Sequence, residues 1–339
     1  MLPEPSFAKG TSFWFKNVKA DIYRLEAIQY IWGNAISAEY KKYLYKMLDL
    51  ITELNPYFEW PYVVGEILLP SYNFRYEKLS DEQQNMYIEE AQKIGEKGIK
   101  NFCDEKKIQL IKEENNLSKL WTEEKYKDPC TSKRVPFYLA FIHYFYKNDP
   151  STASYYYKIT SAITQDAFEW AKIMAAIMQG KAGNRVTSAF MFLNLAKTAD
   201  TDDALCQAFT NELERVVYEL YKKTLPLTGN MVQEIQKGRQ KANGDYDEEA
   251  ERKWFWDSTC LNYSNKAVRE LNLLYLETAH ERYMKDHNGQ ALATPEELYE
   301  KKYIDFLPKD FQQYKAGYGI IYEYNRETKK YDYIMSEIP

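Results

Sequence analysis

The spacing of apolar and polar residues is helical from about residue 18 to residue 288, and Gly and Pro fall mainly between the periodic stretches. Residues 21–32 place Ile22, Leu25, Ile28, Ile31 and Trp32 on one face, which predicts an amphipathic helix burying its large side chains. After a turn at Gly33 and Asn34, residues 39–54 repeat the pattern with Tyr40, Leu44, Met47, Leu48, Ile51 and Leu54. Asn55 and Pro56 end that helix, because proline cannot continue it and disfavours helix in the residue before it.

Further pairs follow. Residues 58–69 form a first helix if it starts around Pro61, and residues 84–102 its partner, with Ala91, Gly95 and Gly98 permitting close approach. The linker between them, 70–81, is long for a helical hairpin. Residues 106–127 predict one helix, followed by a mobile junction near 127–133. In 134–165, Phe137, Ala140, Phe141 and Tyr144 mark one helix and Ala153, Tyr157 and Thr160 the next, with Pro150 at a first helical position. Residues 170–180 and 186–199 make another pair, with Ala189, Leu193 and Ala196 in register. Helices are also expected at 203–223, 247–262 and 265–286, the last with a stripe of Val268, Leu271, Leu274, Tyr275 and Ala279. Residues 225–245 read as a loop-rich bend around one short helix.

The pairs of amphipathic helices closed by a proline resemble tetratricopeptide repeats, whose period is about 34 residues. With Leu25 as position one, Ile28, Ile31, Leu44, Leu48, Ile51 and Pro56 fall on the motif's key positions; Trp32 and Leu44 depart from its small residues. Ala153 and Ala189, 36 residues apart, repeat the match. The resemblance implies an all-α fold, a solenoid of helical hairpins. It divides into an N-terminal extension (1–17), repeats (18–224), further solenoid helices (225–290) and a C-terminal tail (291–339).

The tail changes character. Thr294, Pro295 and Glu297 form a capping box that starts a helix through about residue 302. The alternating runs 318–324 and 330–336 around a polar turn predict a small β-hairpin. The order of helix, Leu307-Pro308-Lys309-Asp310, glycine and hairpin is similar to the ends of pseudopilin-like and envelope-associated bacterial proteins. A cap over the last helix's apolar face is the other reading.

Composition narrows the function classes. Net charge is −5 with both signs interleaved, so no basic stripe offers phosphate contacts and nucleic acid is not an expected partner. No apolar run approaches the roughly 20 residues that span a bilayer. The chain therefore reads as soluble, either cytoplasmic or, with an anchor ahead of Met1, envelope-associated. An aromatic share of 16%, including 31 tyrosines, exceeds what a core requires and puts aromatic rings on the surface; codon bias toward Tyr, Lys, Asn and Ile gives the same composition. Cys103, Cys130, Cys206 and Cys260 form no CxxC pair, and a chain of this size needs no disulfide, so reduced buried thiols are expected.

Catalytic motifs are sparse. Glu277 and His280 share a helix face at the spacing used in di-iron bundles, but Met284 stands where a zinc-protease helix carries its second histidine. A metal-binding or enzymatic use of Glu277 and His280 is the rival reading, and self-assembly through an aromatic surface is a third. The favoured reading is a non-enzymatic scaffold without cofactor. It binds a protein or peptide in the concave groove of a tetratricopeptide-like array, in an envelope or pilus-type assembly. The resemblance places Gln29 and Ser37, Tyr138, Ile142 and Tyr146, and Met174 and Met178 on that groove. Packing of Ile142, Met174 and Met178 against a neighbouring repeat is the alternative.

Overall fold

Helices form where apolar spacing and caps place them. The computed structural model describes residues 3–34, 39–72, 77–164, 168–199, 204–242, 259–315 and 318–337. In chain order the helices are α1 (Pro5–Thr11), a 3-10 turn (Phe13–Phe15), α2 (Lys16–Asn34), α3 (Lys41–Leu54), α4 (Glu59–Leu68), α5 (Asp81–Phe102), α6 (Glu105–Glu113) and α7 (Leu117–Thr122). They continue with α8 (Arg134–Phe145), α9 (Pro150–Ser161), α10 (Glu169–Lys181), α11 (Arg185–Thr198), α12 (Ala204–Tyr221), α13 (Gly229–Ala242), α14 (Cys260–Asp286) and α15 (Pro295–Glu300). Strands β1 (Gln313–Lys315), β2 (Tyr318–Asn325) and β3 (Lys330–Glu337) close the chain. Ser37 and residues 247–258 of an expected helix lie outside the described residues. Among the described residues no helix is long and apolar enough to cross a membrane.

Two compact units result: residues 1–113 with 120–171, and residues 114–119 with 172–339. In the first, α2 packs on α3, α4 on α5 and α8 on α9. Local chemistry fixes the ends. Ser80 and Gln83 close a capping box on α5, and the Asp149 side chain accepts from the Thr152 amide at the start of α9. Asn148, between α8 and α9, takes a left-handed φ of 49°, a conformation asparagine tolerates. The small residues of α5 serve as the spacing implies. A Cβ on Gly98 would stand 2.8 Å from Val135 Cγ1 and 3.0 Å from Tyr62 Cδ1, so α4 and α8 both approach α5 closely there.

The 70–81 linker is long, as the spacing implies, and Lys41 ties it down by donating to the Ser71 carbonyl and pairing with Glu77 at 2.8 Å, both side chains buried. Other expectations are corrected. The stretch 106–127 holds two helices, α6 and α7. The junction at 127–133 is pinned, not loose: Asp104 N donates to Pro129 O at 2.7 Å, and Thr131 N to Phe102 O at 2.9 Å. All four cysteines are oxidised. Cys103 joins Cys130 in the first unit, and Cys206 joins Cys260 in the second. Spacing alone carried no sign of this, because pairs 27 and 54 residues apart meet only through tertiary structure.

In the second unit α14 is central, with α11, α12 and α13 packed against it. The expected bend at 225–245 is mostly the 14-residue α13. The predicted hairpin is present, β2 pairing antiparallel with β3 in the register Ile320↔Met335, Tyr322↔Tyr333 and Tyr324↔Tyr331, and β1 adds a short edge strand. Ile320, Tyr322 and Tyr331 are buried with Leu273, Leu276, Ala279 and Tyr283 of α14, so the hairpin covers that helix. The Thr294–Glu297 capping box forms as read, although its helix ends at Glu300.

Candidate interaction surface

Helix α2 has two apolar faces, and the one with small residues is inside. Ala20 and Ala27 are fully buried against Met47, Leu50, Ile51 and Leu54 of α3, joined by Ala8 of α1. Tyr23 and Tyr30 pack at the margins, and the Arg24 guanidinium lies over Phe58 and Trp60 at 5.2 and 5.6 Å. The stripe expected to face the core is outside instead: Ile22 is 51% exposed, Leu25 60% and Trp32 80%. Small side chains let the α2 backbone approach α3 closely, and the stripe lies on the opposite side of the helix. Of the positions matched to the repeat motif, Leu44, Leu48 and Ile51 are core, Ile28 and Ile31 are half-buried and Leu25 is exposed.

The outward face is continuous. Val18, Ile22, Leu25, Gln29 and Trp32 follow one another at alternating spacings of four and three, which is the seam of a coiled coil. Phe15 and the almost fully exposed Trp14, in the 3-10 turn that leads into α2, extend it. Nineteen residues of helix span roughly 28 Å. Monomers rarely expose apolar patches of several hundred Å², and larger ones mark interaction sites.

The other residues expected on a groove divide. Gln29 is exposed in the middle of the α2 stripe. Tyr138 and Tyr146 are half-buried; Tyr138 meets Phe137 edge-on at 5.2 Å, and burial raises the Tyr146 phenol. Ile142, Met174 and Met178 are buried and reach no groove, because α8 and α10 are apolar on most of their circumference and spend those side chains on packing. Ile142 and Tyr146, one turn apart, therefore do not share an exposed face. Phe145, which sequence reasoning passed over, is exposed and lies tilted against Phe141 with centroids 4.1 Å apart.

Polar groups elsewhere have structural partners. Arg185 Nη2 holds Glu277 Oε1 at 2.8 Å, and His280 Nε2 accepts from the Leu292 amide at 3.0 Å, with Tyr324 and Tyr331 against the ring. That engages both members of the Glu277–His280 pair, and no cluster of three potential metal ligands occurs among the described residues. Among the described residues the buried Tyr331 hydroxyl of the second unit has no hydrogen-bond partner, and two groups of the first unit also stand out. Glu66 of α4 is fully buried, its carboxylate oxygens have no hydrogen-bond partner among the described residues, and burial drives its pKa well above the ordinary range. Buried His143 likewise has no hydrogen bond at either ring nitrogen; Asp149 Oδ2 stands 3.5 Å from Nδ1, and burial lowers the imidazole pKa. The second unit also has an open, mostly apolar cleft of about 480 Å³ between Val186, Leu220, Leu225, Pro226, Leu227 and Leu274.

Compared with protein-family models, curated proteins and solved structures, the chain matches none.

Proposed function

We propose that the chain is a non-enzymatic protein-interaction scaffold of tetratricopeptide-like helical hairpins, which docks a protein partner on the outer face of α2. The observation that supports it is the exposed seam Val18, Ile22, Leu25, Gln29 and Trp32 on a helix already anchored by its opposite face. An anchored helix loses little further conformational freedom on binding, so its apolar contact area goes largely to affinity. This moves the contact surface from the concave groove to α2, with Gln29 retained and Tyr138 and Tyr146 kept as a second, weaker set. The two disulfides support a working environment in which thiols oxidise, such as an envelope or extracellular space.

The test is retention of proteins from native cells on three immobilised baits: wild type, Ile22→Asp/Leu25→Asp and Tyr138→Ala/Tyr146→Ala. The proposal expects a defined set held by wild type and lost by the α2 variant. Equal retention by wild type and the α2 variant contradicts it.

A further inference from the structure

We infer that the α2 seam pairs antiparallel with α2 of a second copy of this chain. This rests on the interaction reading above and names its partner. The spacing is self-complementary. With a two-fold axis between Ile22 and Leu25, Ile22 of one copy meets Leu25 of the other, Val18 meets Gln29, and Phe15 meets Trp32. Every layer pairs across the axis, as an isologous interface requires.

Charge selects the direction. Lys19 and Glu26 lie on the same flank of the seam, seven residues apart. Antiparallel pairing sets Lys19 of each copy beside Glu26 of the other, giving two opposite-charge contacts by symmetry. Parallel pairing instead sets Asp21 beside Glu26 twice, two like-charge contacts. The same acidic residues argue against a membrane as the occupant, since helices that lie on anionic lipid carry Lys and Arg on their polar flanks.

Area is sufficient. Exposed aromatic rings of roughly 150–250 Å² each, with three aliphatic side chains, offer on the order of 600 Å² per copy. Two copies then reach the roughly 1,200 Å² at the lower edge of specific interfaces. Gln29, polar within the seam, fixes the register at some cost in affinity.

Sedimentation equilibrium of the full chain tests this with charge reversals that leave the α2–α3 contact untouched. The expected result is a concentration-dependent dimer, weakened about tenfold by Lys19→Glu or by Glu26→Lys alone. The double variant Lys19→Glu/Glu26→Lys should return close to wild type, and Gln29→Leu should tighten the dimer. A wild type that stays monomeric, single reversals without effect, or a double reversal without rescue overturns the inference. Phosphatidylcholine vesicles form a parallel arm: binding that is lost in Ile22→Asp/Leu25→Asp assigns the seam to lipid and also overturns it. A monomer whose retention of a foreign protein still depends on Ile22 and Leu25 removes only the second copy and leaves the interaction reading standing. A monomer with no such dependence removes both.

Discussion

Helices α2 and α14 solve opposite problems. The first hides alanines and leaves isoleucine, leucine and tryptophan in water; the second, 27 residues long, buries Asn262, Lys266, Arg269, Glu270, Asn272 and His280. What each helix buries follows from what surrounds it. Helix α2 is packed against α3, where its two alanines are buried. Helix α14 is covered by α11, α12, α13 and the hairpin, so polar side chains cannot reach solvent and must be paired in place. Arg185 bridges Glu270 and Glu277, and Arg269 grips Asp310 at 2.7 Å while Tyr322 donates to the same carboxylate at 3.0 Å. Removing one member of such a pair costs more than the pair contributes, because the remaining charge stays buried.

The largest expected effect is therefore in α14. Arg269→Ala leaves Asp310 buried beside Tyr322 without its cation and should destabilise the protein by about 3–5 kcal/mol, read by urea unfolding. A loss below about 1 kcal/mol would mean that water reaches Asp310. Next come the disulfides. Cys103→Ser/Cys130→Ser opens a 27-residue loop and Cys206→Ser/Cys260→Ser a 54-residue one, each worth about 3–4 kcal/mol on loop entropy. Thermal unfolding with and without reductant measures both, and unchanged midpoints would contradict the pairing.

Smaller and opposite in sign is Glu66→Gln in the first unit. Burial without a hydrogen-bond partner raises the Glu66 carboxyl above its ordinary value of 4.5. Protonated Glu66 is therefore favoured in the folded state. Its contribution to stability is complete below the unfolded value and is lost as pH rises through the raised folded value. The glutamine variant lacks this dependence, so it should be more stable than wild type at neutral pH, with a gap that closes toward pH 4. Unfolding midpoints across pH 4–8 check it; a gap that widens toward low pH would contradict the sign.

The contrast also explains how far the sequence could be read. Most helix positions before 225, the Thr294 cap, Pro150 at a helix start and the presence of the hairpin were legible, because each depends on residues a few positions apart. Which face of α2 is buried was not. Its periodic stripe of Ile22, Leu25 and Trp32 is stronger than the Ala20–Ala27 pair, and only the proximity of α3 reverses the preference. The cysteine pairs and the α14 network were hidden for the same reason: Arg269 and Asp310 stand 41 residues apart and Arg185 and Glu277 stand 92 apart. Of the residues expected on a groove, Gln29 is exposed, as its place on the helix implied. Ile142 and Met174 were misplaced because an all-apolar helix gives no periodic sign of which side faces out.

The most direct measurement sets two single variants of α2 side by side in thermal unfolding, Leu25→Asp and Ala27→Asp. At a concentration low enough for the chain to be monomeric, Leu25→Asp should stay within about 0.5 kcal/mol of wild type, as an exposed substitution does. Ala27→Asp should cost several times more by forcing an unpaired carboxylate against Met47 and Ile51. If Leu25→Asp unfolds the protein as readily as Ala27→Asp, the large apolar face of α2 is core, and the surface on which the proposed docking depends does not exist.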